Sequence, residues 1–186
     1  IEPVPQDRII AANEGMLFNL GETEIEVINT PGHASHHLSF VDREEGRLFV
    51  GDAAGFYTGG LIMPDTPPPF NLEQALTSLD KLIHLGATSL CYAHFGYAPH
   101  AGDKLSHYKQ QLILWGNIIA NCLGKEADWQ EMFDEIRKKD VTLARIDSLP
   151  LNERRRDLDF IKTCITGFVG YFKRYGTEYI KRCAGE

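Results

Sequence analysis

Two apolar runs in this chain each stop at a turn that presents a metal-capable side chain. Val27-Ile28-Asn29 leads into Thr30-Pro31-Gly32-His33, and Leu48-Phe49-Val50 leads into Gly51-Asp52. Glu24 to Asn29 alternates apolar and polar residues with the period of two that a half-buried strand requires. Pro31 lacks a ladder donor and Gly32 permits a tight turn, so this strand ends where His33 begins. Leu38 to Val41 and Leu48 to Gly51 flank the polar turn Asp42-Arg43-Glu44-Glu45-Gly46 and predict an antiparallel hairpin carrying Asp52 at its far end. Taken singly, a His after Pro-Gly or an Asp after Gly is ordinary turn chemistry. A third case changes the weight of the pattern, because Thr88 to Ala93 reads as a short buried strand that delivers His94, followed by Phe95-Gly96. Imidazole and carboxylate suit zinc, iron or manganese, so His33, Asp52 and His94 are candidate metal ligands set at three strand ends. His36 and His37 point to opposite faces if their segment is extended, and one of them is a candidate for orienting His33 from behind.

The rest of the chain supplies cover for such an edge. Arg8 to Ala12 and Met16 to Leu20 are short apolar runs around Asn13-Glu14-Gly15 and predict a further hairpin. Ala53 to Phe70 is aperiodic and rich in Gly (Gly55, Gly59, Gly60) and Pro; with Phe56, Tyr57, Met63 and Phe70 it reads as an ordered, pocket-lining loop. Asn71 can cap a helix, with Gln74 in capping-box position and an apolar stripe through Leu72, Leu76, Leu79 and Ile83. His84, near the end of that helix, reads as structural. From about Asp103 the pattern is helical: Leu105 to Leu123, Asp128 to Lys138 and Arg154 to Tyr175, with Val141 to Pro150 as a connector.

Composition narrows the partners. The net charge of −7 argues against nucleic acid bound through a basic face, and Arg154-Arg155-Arg156 reads as a solvated helix face. No apolar run approaches a membrane span, so no membrane partner is expected. Cys91, Cys122, Cys164 and Cys183 form no CxxC pair, and a cytoplasmic location with buried thiols is the expectation. The chain opens on Ile1 without a signal-like segment and reads as a piece of something longer.

Thr30-Pro31-Gly32-His33, Phe49-Val50-Gly51-Asp52 and Tyr92-Ala93-His94-Phe95-Gly96, in that order and with a helix between the second and third, resemble the last three metal-ligand motifs of the metallo-β-lactamase superfamily. The stretch Asp65-Thr66-Pro67-Pro68-Pro69 is similar to a subgroup of these hydrolase-like proteins. The resemblance covers residues 8–100. It implies an α/β (α+β) fold: the C-terminal half of a metallo-β-lactamase αββα sandwich over 1–100, followed by a helical C-terminal extension over 101–186. By the resemblance His33 binds one metal, His94 binds another, and Asp52, the catalytic residue, bridges the two, with one or two zinc ions as cofactor. The His-x-His-x-Asp-His motif that lies upstream in this superfamily does not occur in the sequence. The chain is therefore expected to be a fragment, with weak or no metal binding and no activity by itself. One apolar sheet face is expected to be hidden by self-association or by pairing with the missing N-terminal half. The implied function is a metal-dependent hydrolase that uses metal-bound hydroxide on a small ester, thioester, lactone or phosphoester. Two alternatives stay open: a mononuclear iron dioxygenase of the same fold acting on a thiol or persulfide, and a non-catalytic helical interaction module.

Overall fold

The computed structural model describes residues 2–58, 61–94, 96–148 and 150–183. Gly59 and Gly60 of the long loop and Phe95 of the third motif lie outside the described residues. The strands are β1 (Leu17–Asn19), β2 (Glu24–Asn29), β3 (Leu38–Asp42), β4 (Arg47–Gly51), β5 (Phe56–Tyr57), β6 (Ile62–Met63), β7 (Ser89–Tyr92) and β8 (Gly96–Pro99). The helices are α1 (Leu72–His84), α2 (Ala101–Leu123), α3 (Trp129–Lys139), α4 (Leu151–Tyr175) and α5 (Glu178–Cys183). Six strands form one sheet in the order β1-β2-β3-β4-β7-β8, and β5 and β6 pair separately. All neighbours in the large sheet are antiparallel except β4 and β7, which α1 connects as a parallel pair. The mixed sheet with helices on one side is the α/β architecture expected from the motifs.

Register sorts the strand residues onto two unlike faces. Val41, Leu48, Leu90 and Ala98 stand opposite one another across four strands. All four are buried and share one core with Leu76 and Leu79 of α1 and Leu105 and Leu112 of α2. One residue further along each strand the side chains reach the other face, as the two-residue pleat requires. There Phe40, Phe49, Cys91 and Tyr97 form the corresponding row. Phe49 is 39% and Tyr97 60% exposed, so this second row has no helical cover.

Helix α2 is the hub of the helical part. Its Tyr108, Leu112, Trp115 and Ile119 are fully buried, and it packs on α1, α3, α4 and α5. The α4 helix comes so close to the long loop that a Cβ on Gly167 would run into the Thr66 carbonyl oxygen. That contact fixes the Pro-rich stretch, and Thr66 Oγ1 reinforces it by donating to the Cys164 carbonyl at 3.1 Å.

Several local expectations are corrected. Arg8 to Ala12 is not a strand; Gln6–Arg8 is a 3-10 turn, and Ile9 and Ile10 stay exposed. The hairpin partner of β1 is β2, joined through Gly21. The long loop contains the β5–β6 ladder, and the connector after α3 is 3-10 over Val141–Ser148. Asn71 caps α1 by accepting from the Gln74 amide, while the reciprocal capping box belongs to Asp128 and Glu131 of α3. Strand β8 gives no alternating signal because Gly96, Tyr97 and Pro99 are exposed. Of the helical cysteines Cys122 and Cys164 are buried, but Cys183 is exposed near the end of its helix.

Candidate metal centre

The turn after β2 is fastened to α1 before it presents His33. The Ser78 hydroxyl donates to the Pro31 carbonyl at 2.7 Å, and the Asn71 amide donates to Gly32 at 2.9 Å. Gly32 has φ +142°, and a Cβ there would lie 2.5 Å from the Ala75 Cα, so only glycine lets the turn lie on the helix. His33 Nδ1 lies 2.9 Å from the Asp65 carbonyl oxygen. A carbonyl only accepts, so Nδ1 carries the proton and Nε2 keeps the free lone pair. That Nε2 faces Asp52 Oδ2 at 3.9 Å.

Asp52 follows β4 and lies between two imidazoles. Its second oxygen, Oδ1, is 3.5 Å from His94 Nε2. Oδ1 is closed off from solvent and accepts no hydrogen bond among the described residues. A buried carboxylate oxygen without a donor is costly unless something else satisfies it. Two donors bound to one tetrahedral zinc stand about 3.3–3.5 Å apart, given metal–ligand lengths near 2.0–2.2 Å. The separations here are close to that, so the donor chemistry and its spacing fit a divalent cation. His94 sits in the β7–β8 turn with its side chain half exposed and its ring 5.1 Å from that of Phe56. Phe56 also meets Phe160 of α4 at 5.3 Å, which brings the helical part to the rim of the site.

Thus the structure brings together all three residues singled out in the sequence. It also adds one. Asp65 places a carboxylate oxygen 3.8 Å from His33 Nδ1, and His33, Asp52 and Asp65 offer ligand atoms all within 4.8 Å of one another. Burial pushes the Asp65 carboxyl above its ordinary range, while the neighbouring His33 pulls it down and Asp52 pushes it up. An acidic residue amid apolar and proline neighbours was the available signal in the sequence. Of the pair His36 and His37, it is His37 that reaches the site, and it hydrogen-bonds not to His33 but to the Asp52 backbone: Asp52 N–H donates to His37 Nε2 at 3.1 Å. Burial, and then the nearby His33, lower its pKa from the ordinary histidine value. His84 is structural as expected, with Nδ1 2.6 Å from the Asp80 carbonyl one turn back.

A family model described as the metallo-beta-lactamase superfamily matches residues 1–94 of the 186. With that match over half its length, the chain belongs to the metallo-β-lactamase superfamily. The metallo-beta-lactamase fold-containing protein ST1585 of Sulfurisphaera tokodaii is 36% identical over 108 residues, 58% of this chain and 40% of that protein. The acyl-coenzyme A thioesterase MBLAC2 of Gallus gallus is 32% identical over 85 residues, 46% of this chain and 28% of that protein. Among solved structures, a beta-lactamase domain protein from Burkholderia ambifaria aligns with a TM-score of 0.64 over 94% of this chain and 49% of that one. At 14% identity this likeness concerns the fold, and it extends through the helical part. The chain spans less than half the length of each of these proteins.

Proposed function

We propose that this chain carries the Asp-centred portion of the metal site of a zinc-dependent hydrolase whose substrate is an acyl thioester. The observation that carries the reading is Asp52: its two oxygens face two different imidazoles, and the buried one lacks a donor among the described residues. His33, Asp52 and His94 would hold one or two ions, with Asp65 alongside. A bound zinc acidifies a water molecule and polarises a substrate carbonyl. The chain's own residues do the rest. The bond from His33 Nδ1 to the Asp65 carbonyl keeps the His33 lone pair turned towards Asp52. Asp52 offers one oxygen towards His33 and the other towards His94. Phe56 and Phe160 give the His94 side an apolar wall that suits the hydrocarbon part of an acyl group. The thioester class is supported by that wall and by the thioesterase name of the chicken relative.

The test is thiol release from an acyl-coenzyme A by the zinc-supplied chain joined to an N-terminal half of the sandwich, alongside its Asp52→Asn variant. The reading predicts release that chelation and the substitution both abolish. Release indifferent to both would contradict it.

The open row Phe40, Phe49, Cys91 and Tyr97 supports a second proposal, that this face pairs with another sheet, either of a second copy or of an N-terminal half of the sandwich. A monodisperse monomer in sedimentation of the chain alone would count against pairing between copies. Among the described residues no helix is long and apolar enough to cross a membrane. All four cysteines are free thiols, which supports a reducing, cytoplasmic setting.

A further inference from the structure

His37 lies between the two turns that carry His33 and Asp52, and its hydrogen bonds have a fixed direction. The Asp52 amide can only donate, so His37 Nε2 accepts at 3.1 Å and the neutral ring carries its proton on Nδ1. Nδ1–H then donates to Thr30 Oγ1 at 2.8 Å. The Thr30 hydroxyl, having accepted, donates to Ser39 Oγ at 2.9 Å, and Ser39 donates to the Val50 carbonyl at 3.4 Å. The chain of bonds starts at the residue after β4, crosses to the end of β2, and returns to β4. Gly51 makes the approach possible: it has φ +52°, and a Cβ on it would lie 2.5 Å from His37 Nε2.

We propose that His37 is a positioning residue that sets the separation of His33 and Asp52 by tying the two turns together. Its ring meets that of His33 edge-on, with centroids 6.0 Å apart, and its hydrogen bonds act through the Asp52 amide and through Thr30, three residues before His33. Its consequence for a bound cation rests on the proposed function above, whereas the bond itself can be read without metal.

Two variants separate the hydrogen bond from bulk. The carboxamide oxygen of His37→Gln reaches the place of imidazole Nε2 and can accept from Asp52, whereas His37→Asn reaches only the place of Nδ1. Amide hydrogen exchange at Asp52 in the metal-free chain is the first measurement. Protection should be lost in His37→Asn and His37→Ala and kept in His37→Gln; equal protection in all three would overturn the proposal. Zinc affinity, by competition with a chromophoric chelator, is the second. His37→Asn and His37→Ala should bind roughly 10- to 100-fold more weakly than the parent, as substitutions behind metal ligands usually do, with His37→Gln staying within a few-fold. His37→Gln as weak as His37→Ala, or His37→Asn as tight as the parent, would overturn it. If Asp52→Asn binds zinc as tightly as the parent, the metal reading fails instead, and Asp52 amide protection still decides the role of His37.

Discussion

Asp52 and Asp140 are both carboxylates set into the protein, and they are built in opposite ways. Asp140, which ends α3, is buried and accepts four hydrogen bonds. Gln111 Nε2 and Trp115 Nε1 donate to one oxygen at 2.9 and 2.7 Å; the Thr142 amide and hydroxyl donate to the other at 2.9 and 2.6 Å. Asp52 has its backbone held by His37, but its buried oxygen has no donor among the described residues and two imidazole nitrogens face the group instead. A carboxylate whose lone pairs are all taken holds a fold together, here α2 against the connector after α3. A carboxylate held in place with a lone pair unclaimed is arranged for something that comes from outside. The same residue type thus separates, by its partners, into a structural and a functional role.

The comparison breaks if the two sites respond alike. Asp140→Ala would take the acceptor from donors on three residues, Gln111, Trp115 and Thr142, and at 1–3 kcal/mol per unsatisfied group it should cost about 3 kcal/mol or more in chemical denaturation. Asp52→Ala should change stability by less than about 1 kcal/mol, because it removes an unsatisfied acceptor rather than a partner. Next in size is Gly167→Ala, whose Cβ meets the Thr66 carbonyl oxygen. The displaced helix should cost about 2–3 kcal/mol, and the disturbed loop should also shift the Asp65 signals in NMR spectra. Trp115→Phe removes one donor to Asp140 and should cost about 1–2 kcal/mol without altering cation binding. The smallest effect is one of pH. Burial lowers the pKa of His37, so the unfolded chain takes up that proton first, and this contribution to stability is present above the ordinary histidine value and lost as pH falls through the folded one. In the metal-free protein, stability should begin to fall as pH drops below about 6.5, and less steeply in His37→Gln.

Much of this site was legible in the sequence because its residues sit where a periodic pattern stops. The alternation of Glu24 to Asn29 and the hairpin around Gly46 placed His33 and Asp52 at the same edge, and the order of the motifs added His94. The approach of Asp65 to His33 was not legible, since it depends on a loop pinned by α4 through Gly167, a contact between residues a hundred positions apart. The direction of the His37 bonds was hidden for a similar reason. An extended reading of His36-His37 gives alternating faces, but the segment is a turn, closed by the Thr30 amide on the His37 carbonyl at 3.0 Å. The Asp140 network escaped because Trp115 and Gln111 lie 25 and 29 residues from it and carry no motif. Helices were read well in position and less well at their ends, where α2 begins at Ala101 and α4 at Leu151, before their apolar stripes start.

The central claim is that the unclaimed carboxylate of Asp52 is a cation ligand. Cobalt(II) titration of the protein, followed by visible absorption, tests it most directly. The account predicts a saturable absorption band that Asp52→Asn removes and Trp115→Phe retains. A band of equal strength and affinity in Asp52→Asn would contradict it.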